Sequence, residues 1–268
     1  MESITVSQFT TLGHPQRLAV FRLLMRHYPE PIAAGDIGAA LGIKPSTLSV
    51  YLGALRRAGL ITQERVGTSL RYQADLKGTE ALVGYLVDDC CRARPQVCPS
   101  QSSAQSADDD RPLNVLFLCS GNSARSIMAE AILPDHGPQF RAFSAGLRPS
   151  RLNPDAVALL EAKGHPTENL RSKHISEFQG VDAPQMDFVF TVCDQAANED
   201  CPAWAGQPIS GHWGQPDPVS AADPARAFQA AYATLQERIA AFVALPFSSL
   251  DRRALQARID DISQMRLP

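Results

Sequence analysis

Residues 115–133 read VLFLCSGNSARSIMAEAIL, and the polar break inside this apolar stretch decides the fold. Val115 to Leu118 is a short continuous apolar run, the pattern of a strand buried on both faces. From Ser126 to Leu133, Ile127, Ala131 and Ile132 fall on one helical face and Glu130 on the other. Strand, tight loop and helix place Ser120, Gly121, Asn122, Ser123, Ala124 and Arg125 where backbone N–H groups converge at a helix N-terminus. Gly121 and Asn122 tolerate the positive φ that such a loop needs. Cys119 sits beneath these donors, in a setting of the kind that lowers a thiol pKa to about 3.5–7.5. Arg125 can hold two oxygens of a tetrahedral anion, and the Ser126 hydroxyl can donate to the sulfur. The stretch predicts a thiolate poised beneath an oxyanion cradle.

Outward from the loop, the chain changes texture. Its 268 residues are 44% hydrophobic and 20% charged with a net charge of −3, the composition of a globular protein. No apolar run is long enough for a membrane span, and the first residues lack a secretory pattern, so a cytoplasmic location without membrane contact is expected. In a reducing compartment the six cysteines, at 90, 91, 98, 119, 193 and 201, read as ligands or catalytic thiols rather than disulfides. Residues 92–112, rich in Ser, Gln, Asp and Pro, read as a linker that carries part of a thiol site. Two domains are expected, at 1–91 and 113–247, followed by a helical tail at 248–268 with Leu250, Leu255, Ile259 and Ile262 docked on its own domain.

The loop, with FSAG at 143–146 and HWGQPDP at 212–218, resembles the low-molecular-weight tyrosine phosphatase and arsenate reductase superfamily. The resemblance implies a flavodoxin-like α/β domain with a four-stranded parallel sheet, whose ligands bind at the carboxyl ends of the strands. It also implies that Asp217 protonates the departing oxygen. Phosphatases and reductases share the attack by Cys119; a second and a third thiol distinguish them. Cys193 stands at the end of another apolar strand, MDFVFTV, and Cys201 lies eight positions on. By analogy with the arsenate reductases, Cys119 bonds arsenate, Cys193 displaces arsenite, and Cys201 takes over the disulfide for an external thiol: thioredoxin, glutaredoxin or a small thiol. No tightly bound cofactor is implied. Val219 stands where the phosphatases usually carry a tyrosine, which argues against a large aromatic substrate. A protein tyrosine phosphatase fused to a DNA-binding module is the alternative.

In the first ninety residues, Pro15 opens one helix and 33–43 gives a second. Residues 44–61 form a third, with Ser46 as N-cap and Leu48, Leu52 and Leu55 buried, and 61–74 reads as a hairpin around Gly67-Thr68. The mainly α series resembles the ArsR-type winged helix-turn-helix repressors, including LGHPQRL and LRRAGLI. That resemblance implies a homodimer on double-stranded operator DNA, with Ser46, Thr47, Ser49 and Tyr51 toward bases and Arg56, Arg57, Arg65 and Arg71 toward phosphates. Cys90, Cys91 and Cys98 end this domain. Three thiolates there can converge on one soft pyramidal ion, and arsenite is the expected effector.

Overall fold

Prolines punctuate the helices of the N-terminal unit. A helix the sequence reading did not foresee, α1 (Glu2–Leu12), precedes α2 (Pro15–His27), where Pro15 fills a position whose N–H would have no helical partner. The computed structural model describes residues 2–91, 111–180, 182–199, 204 and 207–265. These fall into two compact units that divide between residues 104 and 105. A short strand, β1 (Ile32–Ala33), leads into α3 (Ala34–Leu41) and α4 (Pro45–Arg57). The face of α4 spaced for burial, Leu48, Leu52 and Leu55, is buried. Its cap is Lys44 rather than Ser46, because Pro45 takes the first helical position and leaves Ser46 exposed in the first turn. β2 (Ile61–Val66) and β3 (Ser69–Ala74) pair antiparallel across Gly67-Thr68, and β1 lies on the other edge of β3. Then α5 (Leu76–Gly84) gives way to a π turn, Tyr85–Cys90, in which the Cys91 N–H reaches back five residues to Leu86 O at 2.9 Å. The helix that leads to Cys90-Cys91 is thus widened by one residue in its last turn.

The second unit is α/β. In chain order it runs β4 (Leu113–Cys119), α6 (Arg125–Ile132), β5 (Phe140–Gly146), α7 (Pro154–Ala162), β6 (Phe188–Thr191), α8 (Asp194–Asn198), β7 (Ile209–His212), α9 (Pro224–Val243) and α10 (Arg252–Ser263). The strand order is β5-β4-β6-β7 and every pairing is parallel, which is the expected four-stranded sheet. Because all strands run one way, Cys119, Gly146, Thr191 and His212 finish at a single rim. Alternation along β4 sends Val115, Phe117 and Cys119 to one face, with Phe188, Phe190, Trp213 and Phe242. Leu116 and Leu118 go to the other, with Ile175, Phe178 and Val189.

Two details depart from the simplest pattern. Helix α6 is not amphipathic: Ser126 to Ala129, Ala131 and Ile132 are all buried, and Glu130 faces a buried ammonium rather than water. The tail packs on the edge of this sheet. In α10, Leu255, Ile259 and Ile262 join the core, and Gly211 lets it approach: a Cβ there would stand 2.7 Å from Ile259 Cγ2. Gln256 Nε2 also donates to Ser210 O on the edge strand β7 at 2.8 Å. No helix among the described residues is long and apolar enough to cross a membrane. Ile259→Ala should therefore destabilise this domain by about 2–5 kcal/mol. The check is a lowered urea midpoint at unchanged m-value; an unmoved midpoint would show the tail to be dispensable.

Candidate active site

The site begins with where the loop sends its carbonyls. Ser120 O, Gly121 O and Ser123 O accept from the backbone N–H groups of Arg148, Ser150 and Asn153, each at 2.9 Å. A trans peptide points its N–H opposite to its C=O, so the amides of Gly121, Asn122 and Ala124 turn toward the loop's interior. One of them is seen in contact: the Asn122 N–H lies 3.1 Å from Cys119 Sγ. Asn122 has φ 45°, the positive value expected of this loop. Gly146 is required beside it, since a Cβ there would meet Asn122 N and Ser120 O at 2.8 Å each.

A buried polar chain fixes the sulfur. Lys173 N–H donates to Asn122 Oδ1 at 2.6 Å, which assigns Nδ2 as the donor to Ser126 Oγ (2.9 Å) and Ser144 Oγ (2.8 Å). Ser126 Oγ, accepting there, can send its own proton to Cys119 Sγ, 2.9 Å away. Ser144 Oγ donates in turn to Glu130 Oε2 at 2.6 Å, and Lys173 Nζ pairs with that carboxylate at 2.9 and 3.0 Å. Glu130, Ser144 and Lys173 were not anticipated as site residues.

Arg125 is held from the opposite side. Its Nη1 donates to Gln215 O at 2.7 Å, and its Nη2 is 3.3 Å from Asp217 Oδ1. Asp217 caps a 3-10 turn and its side chain is half exposed, so it is open to solvent beside the guanidinium. Trp213, fully buried, anchors this segment by stacking on Phe190 with ring centroids 3.9 Å apart.

The second thiol arrives by strand register. Leu118 pairs with Thr191, and the Val192 N–H continues the ladder to Leu118 O at 2.8 Å, so Cys193 follows one residue beyond the level of Cys119. Cys193 lies just past β6 and opens α8. Burial pushes its thiol pKa up, and the Cys119 charge adds to this; the Ala196 N–H, Arg125 and the Ser120 N–H pull it down. Cys201 lies outside the described residues, as does Cys98. Cys90 and Cys91 are free thiols, exposed and half-buried respectively.

On α4, Ser46 and Ser49 are exposed and Thr47 is half-buried, while Val50 is strongly exposed. Tyr51 bonds Gln16 Oε1 through its hydroxyl and packs on His14, so its side chain is tied within the domain. Arg56 donates to Gln63 Oε1 at 2.7 Å, and Arg57, Arg65 and Arg71 are exposed.

Residues 114–255 match the family described as low molecular weight phosphotyrosine protein phosphatase, and residues 12–64 match a helix-turn-helix domain. The arsenate reductase of Bacillus subtilis (strain 168) is 36% identical over 108 residues, which span 40% of this chain and 75% of that protein. Arsenate reductase 2 of Staphylococcus haemolyticus is 34% identical over 113 residues, 39% of this chain and 78% of that protein. A solved arsenate reductase in its phosphate-binding state is 29% identical, with a TM-score of 0.43, covering 49% of this chain and 97% of that one.

The buried Lys173–Glu130 pair makes the site's stability testable. Lys173→Met strands a carboxylate whose side chain is only 17% exposed, and should cost about 3–5 kcal/mol in denaturant unfolding. Adding Glu130→Gln should restore most of that loss; two additive losses would show that the pair is not coupled.

Proposed function

Since the chain belongs to the low molecular weight phosphotyrosine protein phosphatase family, we propose that residues 113–247 direct the nucleophilic Cys119 at arsenate and reduce it to arsenite. The observation that carries this reading is the arrival of Cys193 at the same rim as Cys119, because hydrolysis of a phosphate ester needs only one thiol. Cys119 Sγ attacks arsenic within the loop amides and the Arg125 guanidinium. One arsenate oxygen leaves as water, protonated by Asp217, and a Cys119–S–As(V) bond remains. Cys193 then attacks Cys119 Sγ. The S–As electron pair stays on arsenic, arsenite leaves, and two thiols have supplied two electrons as a 119–193 disulfide. Cys201 attacks Cys193, frees Cys119 and presents a 193–201 disulfide to a thioredoxin, a glutaredoxin or a small thiol. Burial first, and the Cys119 charge second, raise the Cys193 pKa beforehand; bonding Cys119 to arsenic removes the second of these and eases deprotonation when the second thiol is needed.

We propose further that the helix-turn-helix unit is an arsenite-responsive repressor that binds its operator as a homodimer. Exposed Ile4, Val6 and Phe9 on α1 and Val83 on α5, with Leu86 just beyond it, offer apolar surface to a second copy. Arsenite made by the second domain is then the effector of the first, held by Cys90, Cys91 and Cys98 and releasing the DNA through a differential affinity for the two states.

Cys119→Ser should abolish arsenate reduction. Cys193→Ser should lower it about a hundredfold or more. Full reductase activity without Cys193 would refute the relay and favour the phosphatase reading. In a gel shift with operator DNA, arsenite should weaken binding by about 5–150-fold, and Cys90→Ser should remove that response. Retention unaffected by arsenite in the unaltered chain would exclude the sensing role.

A further inference from the structure

The turn that carries Cys193 bridges the gap between β6 and α8. The β6 ladder ends at the Val192 N–H, and α8, only five residues long, reaches back to Cys193 O from the Ala196 and Ala197 N–H groups at 3.2 and 3.3 Å. Across this gap stands His212, the last residue of β7, which is 1% exposed and has no part in the reaction above. Strand register sets it beside Thr191, and its Nδ1 lies 2.8 Å from Thr191 Oγ1. Its Nε2 lies 3.2 Å from Asp194 Oδ1. One imidazole therefore grips the residue two positions before Cys193 and the residue directly after it.

We propose that His212 is the positioning residue of the second thiol: by bonding Thr191 and Asp194 it fixes the turn 191–194, and with it the approach of Cys193 Sγ to Cys119 Sγ. This rests on the reading of the domain as an arsenate reductase. Displacement at sulfur requires the attacking sulfur, the sulfur attacked and the departing arsenic to lie nearly in line, and a misplacement of about 1 Å can cost about a hundredfold in rate. The imidazole suits the task because it is rigid and buried with both nitrogens engaged, so turning it would leave polar atoms unpaired. The same engagement argues against a general-base role, since neither nitrogen is aimed at the thiol. The surroundings are built for this grip. Gly214 passes so close that a Cβ there would stand 2.5 Å from His212 Nε2 and 2.7 Å from Asp194 Oδ1. Trp213, between the two, is locked by its stack on Phe190.

The test is single-turnover reduction by the full chain without external reductant, reading arsenite released and thiols lost against arsenate concentration. In His212→Phe, which keeps a planar ring and removes both bonds, the limiting rate should fall about tenfold or more. The half-saturating arsenate concentration should stay within about twofold, because the Cys119 loop is untouched. Thr191→Val, a smaller change, should give the same split at about threefold, and it carries the test if the Phe variant shows no cooperative melt. An unchanged limiting rate in a folded variant, or a rate and half-saturation that worsen together, would overturn the positioning role alone. A wild-type chain that releases no arsenite would overturn the reductase reading, and this inference with it.

Discussion

Asn122 is fully buried with its backbone in the left-handed region, and the geometry around Cys119 Sγ follows from how that residue is held. For most side chains that backbone costs about 1–2 kcal/mol; asparagine adopts it more readily because its short amide can bond nearby. Here the amide bonds three partners, Lys173 N–H, Ser126 Oγ and Ser144 Oγ, while the backbone N–H faces Cys119 Sγ. Glycine would accept the φ and lose the three side-chain contacts. Aspartate would keep the acceptor, lose both donors, and bring a second negative charge into the network that already holds Glu130. The loop is consequently rigid from the inside, and its carbonyls are drawn outward by Arg148, Ser150 and Asn153, leaving the amides to the interior.

Much of this was legible in the chain itself, for reasons that particular residues make plain. Val115 to Leu118 announced a strand buried on both faces because apolar continuity has few other meanings at that length. The Gly121-Asn122 pair announced the turn, and Pro15 a helix start. The polar chain behind the loop was not legible. Glu130, Ser144 and Lys173 come from three separate segments, and only the parallel register brings them together. Periodicity placed Glu130 on the outer face of α6, since a rule about apolar spacing has no term for a buried ammonium opposite. Helix α1 was missed because ESITVSQFTTL mixes β-branched and polar residues without a clear apolar stripe, and Ile4 and Val6 remain exposed in this chain. Ser46 looked like a cap by residue type, yet Pro45 set the boundary through its fixed φ.

The stretch from the end of β7 to Asp217 shows how one short segment serves two purposes. His212 bonds Thr191 and Asp194 around the second thiol, Trp213 anchors by burial, Gln215 O holds Arg125, and Asp217 reaches the same guanidinium. Since Trp213 is locked by its stack on Phe190, displacing it would shift the supports of Arg125 and of the turn that carries Cys193 together. Sequence reasoning read HWGQPDP for its aspartate alone; the histidine five residues earlier needed the strand pairing to acquire a meaning.

The second thiol is shaped by its electrostatic surroundings as well as by its position. Burial first, and the neighbouring Cys119 charge second, raise the Cys193 pKa, against the pull of two backbone amides and Arg125. Two adjacent thiolates would repel, so the pair favours one charge at a time. In the proposed reaction that charge begins on Cys119, where the Asn122 amide and the Ser126 hydroxyl meet it. Bonding to arsenic withdraws it, and the second-largest cause of the Cys193 shift vanishes at the moment its attack is required. Arg125, which also lowers the Cys193 pKa, then favours the new thiolate in that reaction. In the proposed reaction the order of events follows from the electrostatics of one sheet rim and needs no separate switch.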